Sequence, residues 1–232
     1  MQLIAWNVQR KSVGFVDELL KSQGLEPDLL VLPEVRRPEA VGTQSAMWIG
    51  DEGPGLAVIA GRGLTIHPEP ENEGAPPYVR AFAIRGRVEF RLLAGWPVKR
   101  GEFTSYHRIL MESLARFCPA ACTVPTIFAG DLNTSTGVRN QEESHPAFVE
   151  KAAELGLVSA YHRQTGERFG RESTPTYLDG SRKGMGFHID YCFVSGDLLE
   201  STRVRIPRPG EWPSGSDHLP VIAEVADEAI RQ

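Results

Sequence analysis

Five short polar motifs carry the chemistry open to this chain: Trp6-Asn7, Pro33-Glu34, Gly130-Asp131-Leu132-Asn133, His188-Ile189-Asp190-Tyr191 and Ser216-Asp217-His218. A carboxylate and an imidazole side by side before the apolar run at 219–225 are costly there unless something repays their desolvation. They either cap a strand or do chemistry. Asp190, inside a strongly apolar stretch, needs a partner. A histidine is the natural one, because a carboxylate bonded to an imidazole fixes its tautomer and favours the imidazolium. Taken singly, each motif has an ordinary reading as a turn former or cap. Their joint order and spacing is more than turn formation requires.

Positioning such groups calls for strands that end at one edge. Short apolar runs predict strands at about 2–7, 28–32, 55–60, 78–84, 88–96, 123–129, 187–194 and 219–225. Helical patterns lie at about 13–22, with Ser12 as N-cap, at 104–117 and at 146–155. The first two strands, joined by a helix, form a parallel unit, while the Arg85-Gly86-Arg87 turn joins an antiparallel hairpin. The mixture predicts an α/β fold with mixed sheets. Asn7, Glu34, Asp131 and Asn133 stand at carboxyl ends of strands, where ligands gather in α/β sheets. Asp217 and His218 precede their strand, so they reach the same edge if it runs antiparallel. Strict alternation over 187–194 would put His188 and Asp190 on one face.

Length and composition narrow the setting. A chain of 232 residues, 41% hydrophobic and 24% charged, fits a single domain over 1–232. Its net charge of -5 argues against binding nucleic acid by overall positive potential, although a metal ion can supply local charge. Three cysteines without framework spacing indicate a reducing compartment. Cys118 and Cys122 lack a second pair to complete a metal site. No apolar span of roughly 18 residues is present, so neither membrane attachment nor secretion is expected and a cytoplasmic location is. No feature calls for an obligate protein partner, and a monomer is expected. The segment 161–186 is long, glycine-rich and locally basic, a loop suited to an anion.

With its Gly-Asp-Leu-Asn, Ile-Asp-Tyr and Ser-Asp-His-Leu-Pro motifs, the sequence resembles the endonuclease/exonuclease/phosphatase superfamily, the DNase-I-like and exonuclease-III-like enzymes, over almost its whole length. The resemblance implies a four-layer α/β sandwich of two packed mixed sheets flanked by helices. It implies that Glu34 holds a divalent metal, Mg²⁺ with Mn²⁺ as the substitute, and that Asn7 and Asp217 complete or support that ligation. Asp131 would activate the attacking water, Asn133 would fix water and phosphate, and His218, held by Asp190, would stabilise developing charge. Two departures stand out. Gln9 replaces an acidic residue common after the Trp-Asn motif. Near Trp96 and Pro97 the tyrosine or histidine of nuclease members is missing, with Tyr106 or Lys99 as substitutes.

The expected activity is phosphodiester hydrolysis of nucleic acid. A phosphatase or phosphodiesterase of a small or lipid-linked ester is the rival, and a catalytically silent binding module the third reading. Arg36, Arg37, Lys99, Arg171 and Lys183 are candidate phosphate contacts. Trp212 either stacks on a base or packs in the core.

Overall fold

The computed structural model describes all residues except 40–44, 62, 119, 121, 179, 181–185, 214 and 231–232. Two six-stranded mixed sheets pack face to face. The first runs in the order β13(Thr202–Arg205), β14(Val221–Val225), β1(Gln2–Ala5), β2(Leu29–Val35), β4(Gly55–Ala60), β3(Ala46–Ile49). The second runs β5(Thr65–Pro68), β6(Val79–Arg85), β7(Phe90–Gly95), β8(Thr126–Asp131), β12(Asp190–Ser195), β9(Leu157–Ser159). A short hairpin of β10(Tyr177–Leu178) and β11(Gly186–Phe187) stands apart.

Alternation along each strand makes the layers. In β1, Leu3 and Ala5 enter the core between the sheets, while Ile4 faces outward to Val16, Leu19 and Leu20 of α1(Val13–Ser22). In β8, Ile127 and Ala129 enter the inter-sheet core, while Phe128 meets α2(Tyr106–Phe117) and α3(Ser144–Glu154). Helix, sheet, sheet and helix are the four layers anticipated. The Ser12 hydroxyl caps α1 by accepting from the Phe15 N–H, as the sequence indicates. Ser105 does the same for α2 with Arg108.

β1 and β2 are parallel, β6 and β7 antiparallel, and β14 runs antiparallel to β1. The reversal of β14 brings Asp217 and His218 to the edge where β1 and β2 end. Four peripheral strands, β3, β5, β9 and β13, were not anticipated, nor was α4(Ala160–Thr165) inside the segment read as loop. The four strands are the edges of the two sheets, only three or four residues each.

The strand reading at 187–194 needs correction. β12 begins at Asp190, and His188 precedes it. Its ring packs against Tyr161 and Tyr191, so His188 and Asp190 point to different surroundings.

Candidate active site

The alternation that builds the core also builds the site. Asn7 continues the inward set Leu3 and Ala5, Asp131 continues Ile127 and Ala129, and Asp190 starts the set continued by Cys192 and Val194. Three polar side chains therefore extend the inter-sheet core at one edge, and all three are buried. Asp131 and Asp190 are directly paired across β8 and β12. This register depends on Gly130. At φ +141 it stands against Gly95, and a Cβ there would lie 1.9 Å from the Gly95 carbonyl oxygen.

Asn7 Nδ2 donates to Asp131 Oδ2 at 2.9 Å and to Glu34 Oε1 at 3.2 Å. Its Oδ1 accepts from the Gln9 N–H at 3.0 Å, so Asn7 turns its donors toward the carboxylates. Glu34, at the irregularity of β2 between Leu32 and Val35, and Asn133, two residues past β8, stand at φ +54 and +53, left-handed conformations that a non-glycine residue adopts at local cost. The Asn133 N–H donates to Asp131 Oδ1 at 3.0 Å.

His218 Nδ1 donates to Asp190 Oδ2 at 2.8 Å. Ser216 orients the pair: its hydroxyl donates to the Asn7 carbonyl at 2.7 Å and accepts the His218 N–H at 3.0 Å. The Trp6 indole N–H holds the His218 carbonyl at 2.9 Å. Behind Asp190, the buried Thr176 hydroxyl accepts the N–H groups of Ile189 and Asp190, both at 2.9 Å.

Burial, and then the facing Asp190 charge, push the Asp131 carboxyl up to about 7. Burial alone would depress His218, but the Asp190 and Asp131 charges and the Asp190 hydrogen bond carry it up to about 9. His218 is thus an imidazolium at neutral pH. One ligand atom each from Asp131, Asp190 and His218 lie within 4.8 Å of one another, and Asp190 Oδ1 is buried without a partner. With Glu34 and Asp217 on the same cleft, negative charge outweighs the single imidazolium. That donor set of hard oxygens fits a divalent cation.

The groups open into a cleft of ≈ 400 Å³ lined by Gln9, Glu34, Tyr106, Asp131, Asn133, Val138, Gln141, Tyr177, Phe187, Ile189, Asp217 and His218. Of the anticipated residues, Asn7, Glu34, Asp131, Asn133, Asp190, Asp217 and His218 converge. Tyr106, from the start of α2, lines the cleft. Burial and the charges of Asp131 and Glu34 raise its phenol. Lys99 is exposed, its Nζ 4.4 Å from the Tyr106 ring centroid, so the two alternatives adjoin.

The anticipated substrate contacts fare differently. Arg36, Arg37 and Arg171 are exposed and do not line the cleft, and Arg37 lies 5.2 Å over the Trp48 ring. Lys183 lies outside the described residues. Trp212 is 8% exposed and packs edge-on against Trp6 at 5.6 Å, so the base-stacking reading gives way to core packing. Sequence reasoning missed Tyr177, Phe187 and Thr176, which lie in or beside a glycine-rich stretch that reads as turns. It also missed the supporting role of Ser216.

Residues 4–218 match the Endonuclease/Exonuclease/phosphatase family. The chain belongs to this family. It is an enzyme acting on phosphoric esters, and the family depends on a divalent metal. Among curated proteins, it is 27% identical over 275 residues to a DNA-(apurinic or apyrimidinic site) endonuclease of Dictyostelium discoideum, covering 95% of this chain and 69% of that one. Among solved structures, a 3' phosphatase from Neisseria bound to product DNA hairpin has the same fold at a TM-score of 0.70 and 19% identity, covering 97% of this chain and 99% of that one. An AP endonuclease from Archaeoglobus fulgidus superposes at 0.67 with 18% identity, covering 97% and 99%.

Proposed function

We propose that this enzyme hydrolyses phosphodiesters of DNA, with Mg²⁺ as its metal. The observation that carries the reading is the convergence of Asn7, Glu34, Asp131, Asn133, Asp217 and His218, from both sheets, on one cleft with Asp190 behind. The D. discoideum relative, named for cleavage of DNA at abasic sites, supports the substrate class.

In this reading Glu34 and Asp217 would hold the cation, which would supply Lewis acidity toward the phosphoryl group. Asp131, as a carboxylate, takes the proton of the attacking water. The Asn7 amide on Oδ2 and the Asn133 N–H on Oδ1 fix the orientation of that carboxylate, and each oxygen keeps a further lone pair. His218 donates from Nε2 to a non-bridging oxygen, and Asp190 keeps that imidazole charged and oriented. Tyr106, lining the same cleft, adds a phenolic donor, with Lys99 above its ring.

A second reading, removal of a 3' phosphate from DNA ends, is favoured by the Neisseria neighbour. Both use the same site. Assaying abasic, nicked, 3'-phosphorylated, single-stranded and intact DNA, with RNA and small phosphomonoesters alongside, separates them. The proposal expects Mg²⁺-dependent cleavage of a DNA phosphodiester, abolished by Asp131→Asn. Turnover of small monoesters alone overturns it.

A further inference from the structure

Beside the catalytic cleft lies a second, narrower slot of ≈ 250 Å³, to which no role has been attached. Phe187 lines both and forms their shared wall. The rest of the lining comes from the loop after β8, with Ser135 and Gly137, from the 170–175 segment, and from Gly186 and His188. The approach is tight: Gly170 sits at φ +78, where a Cβ would lie 1.9 Å from Thr136 Oγ1.

Two of the lining residues, Glu172 and His188, carry acceptors. The Glu172 side chain is 4% exposed, and both hydrogen bonds to its carboxylate, from His162 Nε2 at 3.0 Å and the Gly170 N–H at 2.9 Å, end on Oε1. Oε2 takes neither of these bonds, and Glu172 lines the slot. The buried His188 donates from Nδ1 to the Thr174 carbonyl at 3.1 Å, so Nε2 is its acceptor nitrogen. Ser135 and Ser173 also line it.

A buried carboxylate repels phosphate, so the slot is not a second backbone contact. It suits a flat group offering adjacent N–H donors. Its volume falls below the ~300–1,000 Å³ of pockets for drug-sized ligands and is of the order of a single base. We propose that the slot reads one unpaired nucleobase next to the scissile phosphate and selects guanine, whose N1–H and N2 amino group face Glu172 Oε2 and His188 Nε2. Adenine and cytosine present one exocyclic amino group beside an acceptor, and thymine a single N–H between two carbonyls. Each leaves one acceptor of the slot unpaired or opposed. The inference rests on the nucleic-acid reading of the neighbouring cleft, whose other face Phe187 forms.

The test uses short single-stranded DNAs identical except at one position, scanned across two nucleotides on each side of the cleavage site and filled with G, A, C, T or inosine. Binding is measured in EDTA and cleavage in Mg²⁺. At one position guanine should be bound and cleaved roughly tenfold better than adenine. Inosine, which keeps N1–H and lacks the amino group, should fall between them. Glu172→Gln should narrow the guanine-to-adenine ratio, and the inosine comparison on the native protein decides the matter even if that variant misfolds. Equal binding of all five at every position, absent binding of any, or inosine equal to guanine overturns the slot. Ranked binding without cleavage overturns the phosphodiesterase reading instead and leaves the slot standing.

Discussion

Asp131 and Asp190 face each other across two hydrogen-bonded strands, a like-charge pair that destabilises a sheet. His218, bonded to one and near the other, relieves part of the repulsion, and burial adds to what remains. The sign of the pH dependence follows. The Asp131 carboxyl rises from 3.8 to about 7 on folding, so its contribution to stability is present below pH 3.8 and lost as pH rises through 7. His218 rises from 6.5 to about 9, and its contribution is lost as pH rises through 9. Asp131→Asn, expected to abolish catalysis in Mg²⁺, should in EDTA gain on the native protein as pH rises: the difference in Tm, variant minus native, becomes more positive from pH 5 to pH 8. A flat or falling difference in thermal melts would refute the buried charge. Asp190→Asn should lower kcat/KM by roughly 10²–10⁴-fold and move its alkaline limb to lower pH. A pH–rate profile of unchanged shape would show that Asp190 does not hold the imidazolium. That Asp190 needs a histidine partner was legible in the sequence because a charge in so apolar a run demands one; that the histidine is His218 came from the resemblance to the family. Thr176, which fixes the backbone beneath Asp190, was not legible, since a threonine between Pro175 and Tyr177 looks like any turn residue.

At the level of elements, the site depends on β7 and β8 lying close enough for Asp131 to emerge opposite Asp190. Gly95 and Gly130 are register partners, and the φ of +141 at Gly130 is one that other residues rarely adopt. Gly130→Ala should therefore destabilise the fold by roughly 1–3 kcal/mol and lower turnover in the fraction that stays folded. Chemical denaturation and kinetics on the same sample check both, and a variant normal in both would mean the strands absorb the methyl group. Core strands β1, β2, β4, β6, β7, β8, β12 and β14 were readable because each is a run of large apolar side chains. The peripheral strands carry too little such signal: β13, for example, alternates Thr202 and Val204 inward with Arg203 and Arg205 outward over only four residues. The hairpin of β10 and β11 escaped for a different reason. It is tied down by distant partners, Leu178 N–H to the Asp217 carbonyl at 2.7 Å and Leu219 N–H to that of Thr176 at 2.7 Å, and no local pattern announces such bonds.

Across the whole molecule, the acidic edge is where the two sheets meet without an apolar filling. Glu34 and Asp217 come from the first sheet and its β14 approach, Asp131 and Asp190 from the second, and the Asn7–Asp131 hydrogen bond crosses between them. With a net charge of -5 on the chain and one imidazolium at this edge, a bound cation would offset repulsion between the sheets as well as serve the reaction. Its binding energy then appears as folding stability, about 2.7 kcal/mol at a hundred times the dissociation constant. At ~2–4 °C per kcal/mol for a chain of this size, saturating Mg²⁺ should raise Tm by roughly 5–10 °C. Glu34→Gln should remove more than half of that shift. Glu200→Gln, at an exposed ion pair with Arg163, should leave it intact. Mg²⁺ should also reduce the Tm advantage of Asp131→Asn at pH 8, because the cation supplies the positive charge that the buried carboxylates lack. Calorimetry with and without Mg²⁺ on the three variants decides it: equal shifts in native, Glu34→Gln and Glu200→Gln proteins would place the stabilising ion elsewhere on the acidic surface and break the link between metal binding and the closure of this edge.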